Sequence, residues 1–193
     1  MDIKGKKIIL ASNSPRRKEL LAGLDITFEV DTRNNFEEVY DPSTPHDKIP
    51  EVLSEGKSYG FHRELADDEI LITSDTLVIC EDRVMGKPHS REDAYDMLKF
   101  LSGQEHKVIT AVTVRDKNRC STLSDTAIVS FKELTDNEIW YYIDNFKPFD
   151  KAGAYGIQEW IGYVGIGLIK GSFFTIMGLP VHLVYQELLK FIA

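Results

Sequence analysis

An apolar strand that runs directly into a well-delimited helix, in residues 7–24, sets the architecture at the start of this chain. The first four of these residues are mostly apolar, and a short polar turn follows them. Ser14 suits the N-cap of the helix, Pro15 its first turn and Gly23 its C-terminal end. The segment therefore predicts an α/β arrangement in which the polar turn is held rigidly between a strand and a helix.

The rest of the chain alternates between helical and extended patterns. Further helices are predicted for residues 46–66, for 90–103, after the capping pair Thr135 and Glu138, and for 180–191. Strands are predicted from residue 27 before an acidic loop, for 70–73, and for 107–114 and 122–131, which a polar turn joins as a hairpin. Since neither a repeat nor a flexible linker interrupts this pattern, we expect one domain, residues 1–193, of mixed α/β (α+β) class with two lobes.

Charge and hydropathy exclude several classes of protein. Lysine and arginine number 23 against 31 aspartates and glutamates, a formal net charge of −8. This excess of negative charge disfavours binding along a nucleic-acid duplex. No apolar run is long enough to cross a bilayer, and the charged first seven residues lack an apolar signal core behind them, so a cytoplasmic protein is expected. The two cysteines and five histidines show no metal-binding spacing.

One apparent nucleotide motif fails on inspection. Residues 56–58, Gly-Lys-Ser, match the end of a P-loop, but Glu51 stands where that motif requires its first glycine. The segment is also predicted to be helical. We therefore reject a P-loop here.

Residues 12–17, Ser-Asn-Ser-Pro-Arg-Arg, predict an anion site. They offer two hydroxyls, the free N–H groups of a helix N-terminus and two guanidinium groups that match phosphate oxygens. Positive side chains in a first helical turn oppose the helix dipole, and a bound anion would relieve this cost. The alternative is a well-capped helix with two surface arginines.

Asp75 interrupts the apolar run of residues 70–79 and needs a partner, because a lone buried carboxylate is costly. Glu37 and Glu38 are the other acidic candidates, although they also suit an exposed loop. Hydrolysis of a phosphoanhydride requires a divalent ion to neutralise charge and a base to accept a proton from water, and carboxylates suit both tasks. Lys87 and Lys151 are single lysines that suit either phosphate contacts or a solvated surface.

Four groups of residues together resemble the motifs of the Maf family of nucleoside triphosphate pyrophosphatases, also called septum formation inhibitors. They are residues 9–21 (ILASNSPRRKELL); residues 74–76 (SDT) with 86–88 (GKP); residues 101–106 with 110–112; and residues 150–158 (DKAGAYGIQ) with 171–172 and 177–180. The motifs occur in the same order as in the family, and together they extend over nearly the whole chain.

The resemblance implies an enzyme that cleaves a nucleoside triphosphate between its α and β phosphates with a divalent cation, Mg²⁺ or Mn²⁺, as cofactor. The implied fold is a central twisted mixed sheet flanked by helices, similar to that of inosine triphosphate pyrophosphatase, with a cleft between two lobes. Many members are homodimers, and a homodimer is an option for this chain.

Carried over by position, Asp75 resembles the proton acceptor of the family. The specificity positions are Arg16, Thr76 and Gln158. Other polar positions of the pocket are Ser12, Arg17, Glu38, Lys57, Lys87 and Lys151. We expect Glu38 and Asp75 to hold the metal, with the choice between Glu37 and Glu38 left open.

Arg16 and Gln158 resemble the branch of the family that acts on dTTP and UTP. Two alternatives stay open: a nucleotide-binding regulator of septum formation and cell division that needs no catalysis, and a pyrophosphatase for modified nucleotides.

Overall fold

The strands of the protein form one mixed sheet of seven strands, flanked by helices, in a computed structural model that describes residues 3–192. The strands are β1 (Lys7–Leu10), β2 (Phe28–Val30), β3 (Glu69–Cys80), β4 (Arg83–Met85), β5 (Glu105–Arg115), β6 (Cys120–Phe131) and β7 (Ile166–Lys170). The helices are α1 (Pro15–Ala22), α2 (Ile49–Tyr59), α3 (Arg91–Leu101), α4 (Asp136–Phe146), α5 (Trp160–Gly165), α6 (Phe173–Met177) and α7 (Val181–Phe191). The order in the sheet is β2-β1-β3-β5-β6-β7, with β4 paired to β3. The predicted fold class is confirmed.

The chain divides into two compact units, of which the first comprises the described residues up to Asp75, Thr110–Asp125 and the residues from Gly178 onward. In this unit β1 lies between β2 and β3 and is parallel to both. Ile9 of β1 is the register partner of Leu71 of β3, and both pack in one buried cluster.

The second unit comprises Thr76–Ile109 and Thr126–Met177. Its strand segments include the end of β3, paired antiparallel with β4, the start of β5, and the end of β6, paired antiparallel with β7. Helix α4 begins with a complete capping box of Thr135 and Glu138, as predicted. Helices α3 and α4 pack together through buried apolar side chains.

The predicted helix 46–66 is too long. A single 3₁₀ turn, His46–Lys48, precedes α2, and α2 itself ends at Tyr59. After Gly60 the chain leaves the helix, and Phe61 and Leu65 instead cover the sheet residues Ile9 and Leu71. Their burial against the sheet outweighs the helical pattern of this segment.

Two strands also differ from the prediction. β3 does not end before Asp75 but continues through it to Cys80. β7 was not predicted, since its five residues include Gly167 and lack an alternating burial pattern. Among the described residues, every helix is too short or too polar to cross a membrane.

Candidate active site

The N-terminus of α1 places polar groups at the end of β1. Ser14 is the N-cap, as predicted, because its Oγ accepts a hydrogen bond from the backbone N–H of Arg17 at 3.4 Å. The buried Ser12 accepts another, from the N–H of Ser14 at 3.2 Å. Pro15 opens the helix and is followed by the half-buried Arg16. A helix start of this kind carries partial positive charge and suits a phosphate oxygen.

Arg17 ties α1 to two other segments of the first unit. Its Nε donates to the carbonyl oxygen of Gly178 at 2.8 Å, and its Nη1 donates to that of Ser74 at 2.9 Å. Burial lowers the pKa of Arg17 below its usual value, while the negative charge of Asp75 acts in the opposite direction. Arg17 therefore fixes the backbone beside Asp75 and also brings positive charge to it.

Lys57 lies between the two carboxylates that were predicted to hold a metal. Its Nζ is 2.6 Å from Oδ1 of Asp75 and 3.0 Å from Oε1 of Glu38. Asp75 is only 9% exposed, whereas the side chain of Glu38 is 59% exposed. Lys57 is thus the partner that the buried carboxylate of Asp75 requires. The same ammonium group also contacts Glu38.

Buried hydroxyl groups hold α2 against β3 and so set the distance between Lys57 and Asp75. Oγ1 of Thr73 donates to the carbonyl oxygen of Ser54 at 2.7 Å, and Oγ of Ser54 lies 2.9 Å from Oγ1 of Thr113. Lys57 follows Ser54 by one helical turn, and Asp75 follows Thr73 on the same face of the strand. These hydroxyls were not predicted, although small polar residues within apolar runs are a signal for them.

Phe36 anchors the loop that carries Glu38 onto α2. A Cβ added at Gly56 would lie 2.3 Å from Cζ of Phe36, and one added at Gly60 would lie 2.5 Å from Cβ of Phe36. The two glycines therefore leave the space that the Phe36 side chain fills. This packing places Glu38, two residues later, beside Lys57, and none of it was predicted from the sequence.

The two carboxylates fit a divalent cation. Oxygens of Glu38 and Asp75 converge on one point, at present the position of the Lys57 ammonium group. Mg²⁺ in nucleotide enzymes is commonly held by one or two carboxylates together with water and substrate phosphates. Within residues 3–192, no cluster of three or more histidine, cysteine, aspartate or glutamate side chains could hold a metal ion.

The second unit contains the remaining predicted positions, Thr76, Lys87, Lys151 and Gln158. Thr76 is half-buried on β3, and Lys87 is exposed in the loop after β4. The N–H of Gly153 donates to the carbonyl oxygen of Gly86 at 3.0 Å. This hydrogen bond joins the loop of Lys87 to the turn that follows Lys151.

Lys151 is almost fully enclosed, with a side chain 9% exposed. Its Nζ is 2.8 Å from Oδ1 of Asp150 and 3.1 Å from Oε1 of Glu159, a carboxylate that was not predicted to take part. Gln158 is half-buried, and its Oε1 is buried without a hydrogen-bond partner among the described residues. An unsatisfied buried acceptor is costly, so a side-chain movement that brought this oxygen to an N–H donor would be favourable.

A family model and several known proteins each match almost the whole chain. The family model described as Maf-like protein matches residues 7–191. A dTTP/UTP pyrophosphatase of Parabacteroides distasonis is 50% identical over 190 residues, which cover 98% of each chain. Proteins of the same name are 45% identical in Porphyromonas gingivalis over 192 residues (98% of this chain, 96% of the relative) and in Flavobacterium johnsoniae over 186 residues (96% and 95%).

Proposed function

Because this chain belongs to the Maf family, we propose that it is an enzyme that hydrolyses nucleoside triphosphates, chiefly dTTP and UTP, to the nucleoside monophosphate and pyrophosphate. The support comes from relatives named dTTP/UTP pyrophosphatase, which match it at 45–50% identity over nearly their full length. Such an enzyme is a hydrolase acting on acid anhydrides.

The contact of Lys57 with both Asp75 and Glu38 is the observation that carries the proposal. It gives the first unit a buried carboxylate, held in a fixed position, that can accept a proton from water. In the proposed step the water oxygen bonds to the α-phosphorus and one water proton passes to Asp75. The bond from the α-phosphorus to the bridging oxygen breaks, and its electron pair leaves with pyrophosphate.

Glu38 and Asp75 would hold Mg²⁺ or Mn²⁺, which supplies positive charge that neutralises the triphosphate. In the structure the carboxylate oxygens of both residues contact the ammonium group of Lys57, so Lys57 would leave this point when the ion binds, and its phosphate contact rests on the family resemblance. The convergence of the two carboxylates supports this assignment.

The N-terminus of α1 is the proposed phosphate-binding element of the first unit. Ser12 and the first-turn residues Arg16 and Arg17 bring hydroxyl and guanidinium donors to it. Hydrogen bonds from charged donors stabilise a bound phosphate by about 1.5–3 kcal/mol each. The phosphate contacts of Lys87 and Lys151 rest on the family resemblance.

Gln158, with Thr76, is the proposed reader of the nucleobase. Uracil and thymine carry an N–H donor at N3, where cytosine has only an acceptor. The amide oxygen of Gln158, which has no hydrogen-bond partner among the described residues, can accept this N–H when the side chain turns towards the base. A site built around one hydrogen bond rejects a base that cannot make it. This match supports a preference for uracil and thymine.

Several expectations stay predictions. They are a single domain over residues 1–193, a homodimer, a cytoplasmic location, and no binding to nucleic-acid duplexes. A regulatory role in septum formation and activity on modified nucleotides are the alternative functions, and the test below separates them.

The test is a panel of triphosphates, including dTTP, UTP, CTP and 7-methyl-GTP, incubated with the purified protein and Mg²⁺ or Mn²⁺. Release of monophosphate and pyrophosphate is measured, and dTTP and UTP are expected to give the highest kcat/KM. A preference for 7-methyl-GTP would contradict the substrate assignment. No turnover of any member would favour the regulatory alternative.

A further inference from the structure

A connected set of polar groups lies next to Gln158 in the second unit. The hydroxyl group of Tyr142, on α4, donates to Oε2 of Glu159 and accepts the N–H of Gly156 at 2.9 Å. The other carboxylate oxygen of Glu159 is 3.1 Å from Nζ of Lys151. Glu159 therefore joins helix α4 to the glycine-rich turn that begins at Lys151.

These contacts are shielded from solvent. Tyr142 is fully buried, and the side chain of Glu159 is 20% exposed. Burial, and then the neighbouring Glu159, raise the pKa of Tyr142, so the phenol keeps the proton that it donates. Charge-assisted hydrogen bonds are strong in such surroundings, and breaking one leaves a buried group without its partner. The contacts therefore resist displacement of the turn.

The turn closes tightly because residue 156 is a glycine. A Cβ there would lie 2.9 Å from Cδ of Glu159 and 3.0 Å from Cε of Lys151. The carboxylate of Glu159 and the Cε methylene of Lys151 thus pack closely on the backbone of Gly156. Gln158 is bonded to Glu159 and lies two residues after Gly156, so its backbone is held on both sides.

We propose that Glu159 is a positioning residue for base recognition: it fixes the backbone of the turn, so that the amide of Gln158 is presented to the N3–H of uracil or thymine from one position. The proposal rests on the proposed function. Glu159 directly follows the DKAGAYGIQ segment and lies outside the motifs by which the chain resembles the family. Its role is inferred from its two contacts, with Tyr142 and Lys151.

The experiment compares wild type with E159A, E159Q and the control D144A. Asp144 also lies in the second unit, on α4, and forms an ion pair with Arg91 at 2.7 Å, but its side chain is half-exposed. The quantities measured are kcat and KM for UTP and CTP, together with hydrogen exchange of peptides that span residues 150–158. E159Q keeps the shape of the side chain but has one acceptor oxygen, so it can accept from Tyr142 while its NH2 group faces the ammonium group of Lys151.

For E159A we expect the ratio of kcat/KM for UTP over CTP to fall about ten- to hundredfold, chiefly through a higher KM for UTP. Exchange within 150–158 should accelerate in the same variant. E159Q, which keeps one of the two contacts, should lose less of the discrimination than E159A, and D144A should match wild type in both measurements. If E159A does not fold, Y142F replaces it, with the exposed neighbour Y141F as control, and the same loss is expected.

A folded E159A protein with the wild-type UTP over CTP ratio would overturn the role of Glu159 alone. An equal loss in D144A would overturn it too, because the effect would then be unspecific. By contrast, a wild-type protein that hydrolyses none of the nucleotides would refute the proposed function itself.

Discussion

Asp75 is a buried carboxylate whose negative charge is balanced at short range. Lys57 lies 2.6 Å away, and the guanidinium of Arg17 is anchored to the backbone of the preceding residue, Ser74. Burial of a charge is tolerated when it is paired in this way, and removing one partner is far costlier than removing both. The pair thus holds the proposed base in one position before substrate arrives.

Asp75→Asn should bind nucleotide but lose turnover, because the amide cannot accept the proton of the attacking water. We expect kcat to fall by about 10²–10⁴-fold with UTP. Nucleotide binding by calorimetry should persist, and circular dichroism should show the native fold. Asp67→Asn, which alters an exposed ion pair with Lys117, is the matched control and should keep wild-type activity. Near-native hydrolysis by Asp75→Asn would refute its role as base.

His106 predicts a pH dependence of stability. It is buried, its Nε2 lies 2.7 Å from the hydroxyl of Tyr155, and burial lowers its pKa from 6.5 to about 4. Below pH 6.5 the side chain of His106 becomes protonated in the unfolded chain, whereas in the folded protein it stays neutral down to about pH 4. The free energy of unfolding contributed by His106 is therefore fully present above pH 6.5 and is lost as the pH falls from 6.5 towards 4.

Between pH 7.5 and 5, wild type should lose about 2 kcal/mol more stability than His106→Gln, measured by urea unfolding at each pH. The exposed His89 provides the control, since His89→Gln should follow the wild-type curve. If the stability of wild type and of His106→Gln depended on pH in the same way, this would contradict the lowered pKa of His106.

At the residue scale, Asp75 could be chosen from the sequence as a candidate site residue, because it is a carboxylate within an apolar run. It could not choose between Glu37 and Glu38, because that choice depends on how Phe36 packs on α2. The contacts of Glu159 are likewise tertiary, and its sequence position gives no sign of them.

At the scale of elements, α2 supports the loop that carries Glu38. Gly56 and Gly60 create space for Phe36, and the buried hydroxyl of Ser54 fixes the helix on the sheet. Lys57 is carried in the last turn of the helix. The loop, helix and strand therefore set the distances within the Glu38–Lys57–Asp75 group jointly.

Gly56→Ala tests this arrangement. In an ordinary helix the change would stabilise by about 1 kcal/mol, whereas here the new Cβ would overlap the Phe36 ring and push the loop away. We expect kcat/KM for UTP to fall about tenfold or more as Glu38 shifts. Gly167→Ala is the control, because nothing lies within 4 Å of a Cβ at Gly167. A more stable and fully active Gly56→Ala protein would contradict the role of Phe36.

Helix starts that are marked by capping residues could be predicted from the sequence, whereas element boundaries that depend on tertiary contacts could not. The caps at Ser14 and Thr135 gave the starts of α1 and α4 correctly. The end of α2 was missed because burial of Phe61 and Leu65 against the sheet decides it.

At the scale of the whole molecule, the excess of negative charge and the proposed anionic substrate are compatible. A formal net charge of −8 disfavours a long polyanion, which would interact with much of the surface. A single triphosphate is small enough to be held by a few local cations and the N-terminus of one helix. The fold class and its two lobes followed from the order of strand and helix patterns, whereas the interrupted chain segments that make up each unit did not.

Hydrolysis of UTP in ¹⁸O-labelled water, with mass analysis of the products, tests the central claim most directly. We expect UMP that carries one ¹⁸O atom and pyrophosphate that carries none, because water attacks the α-phosphorus. Label in pyrophosphate, or UDP and phosphate as the products, would contradict it.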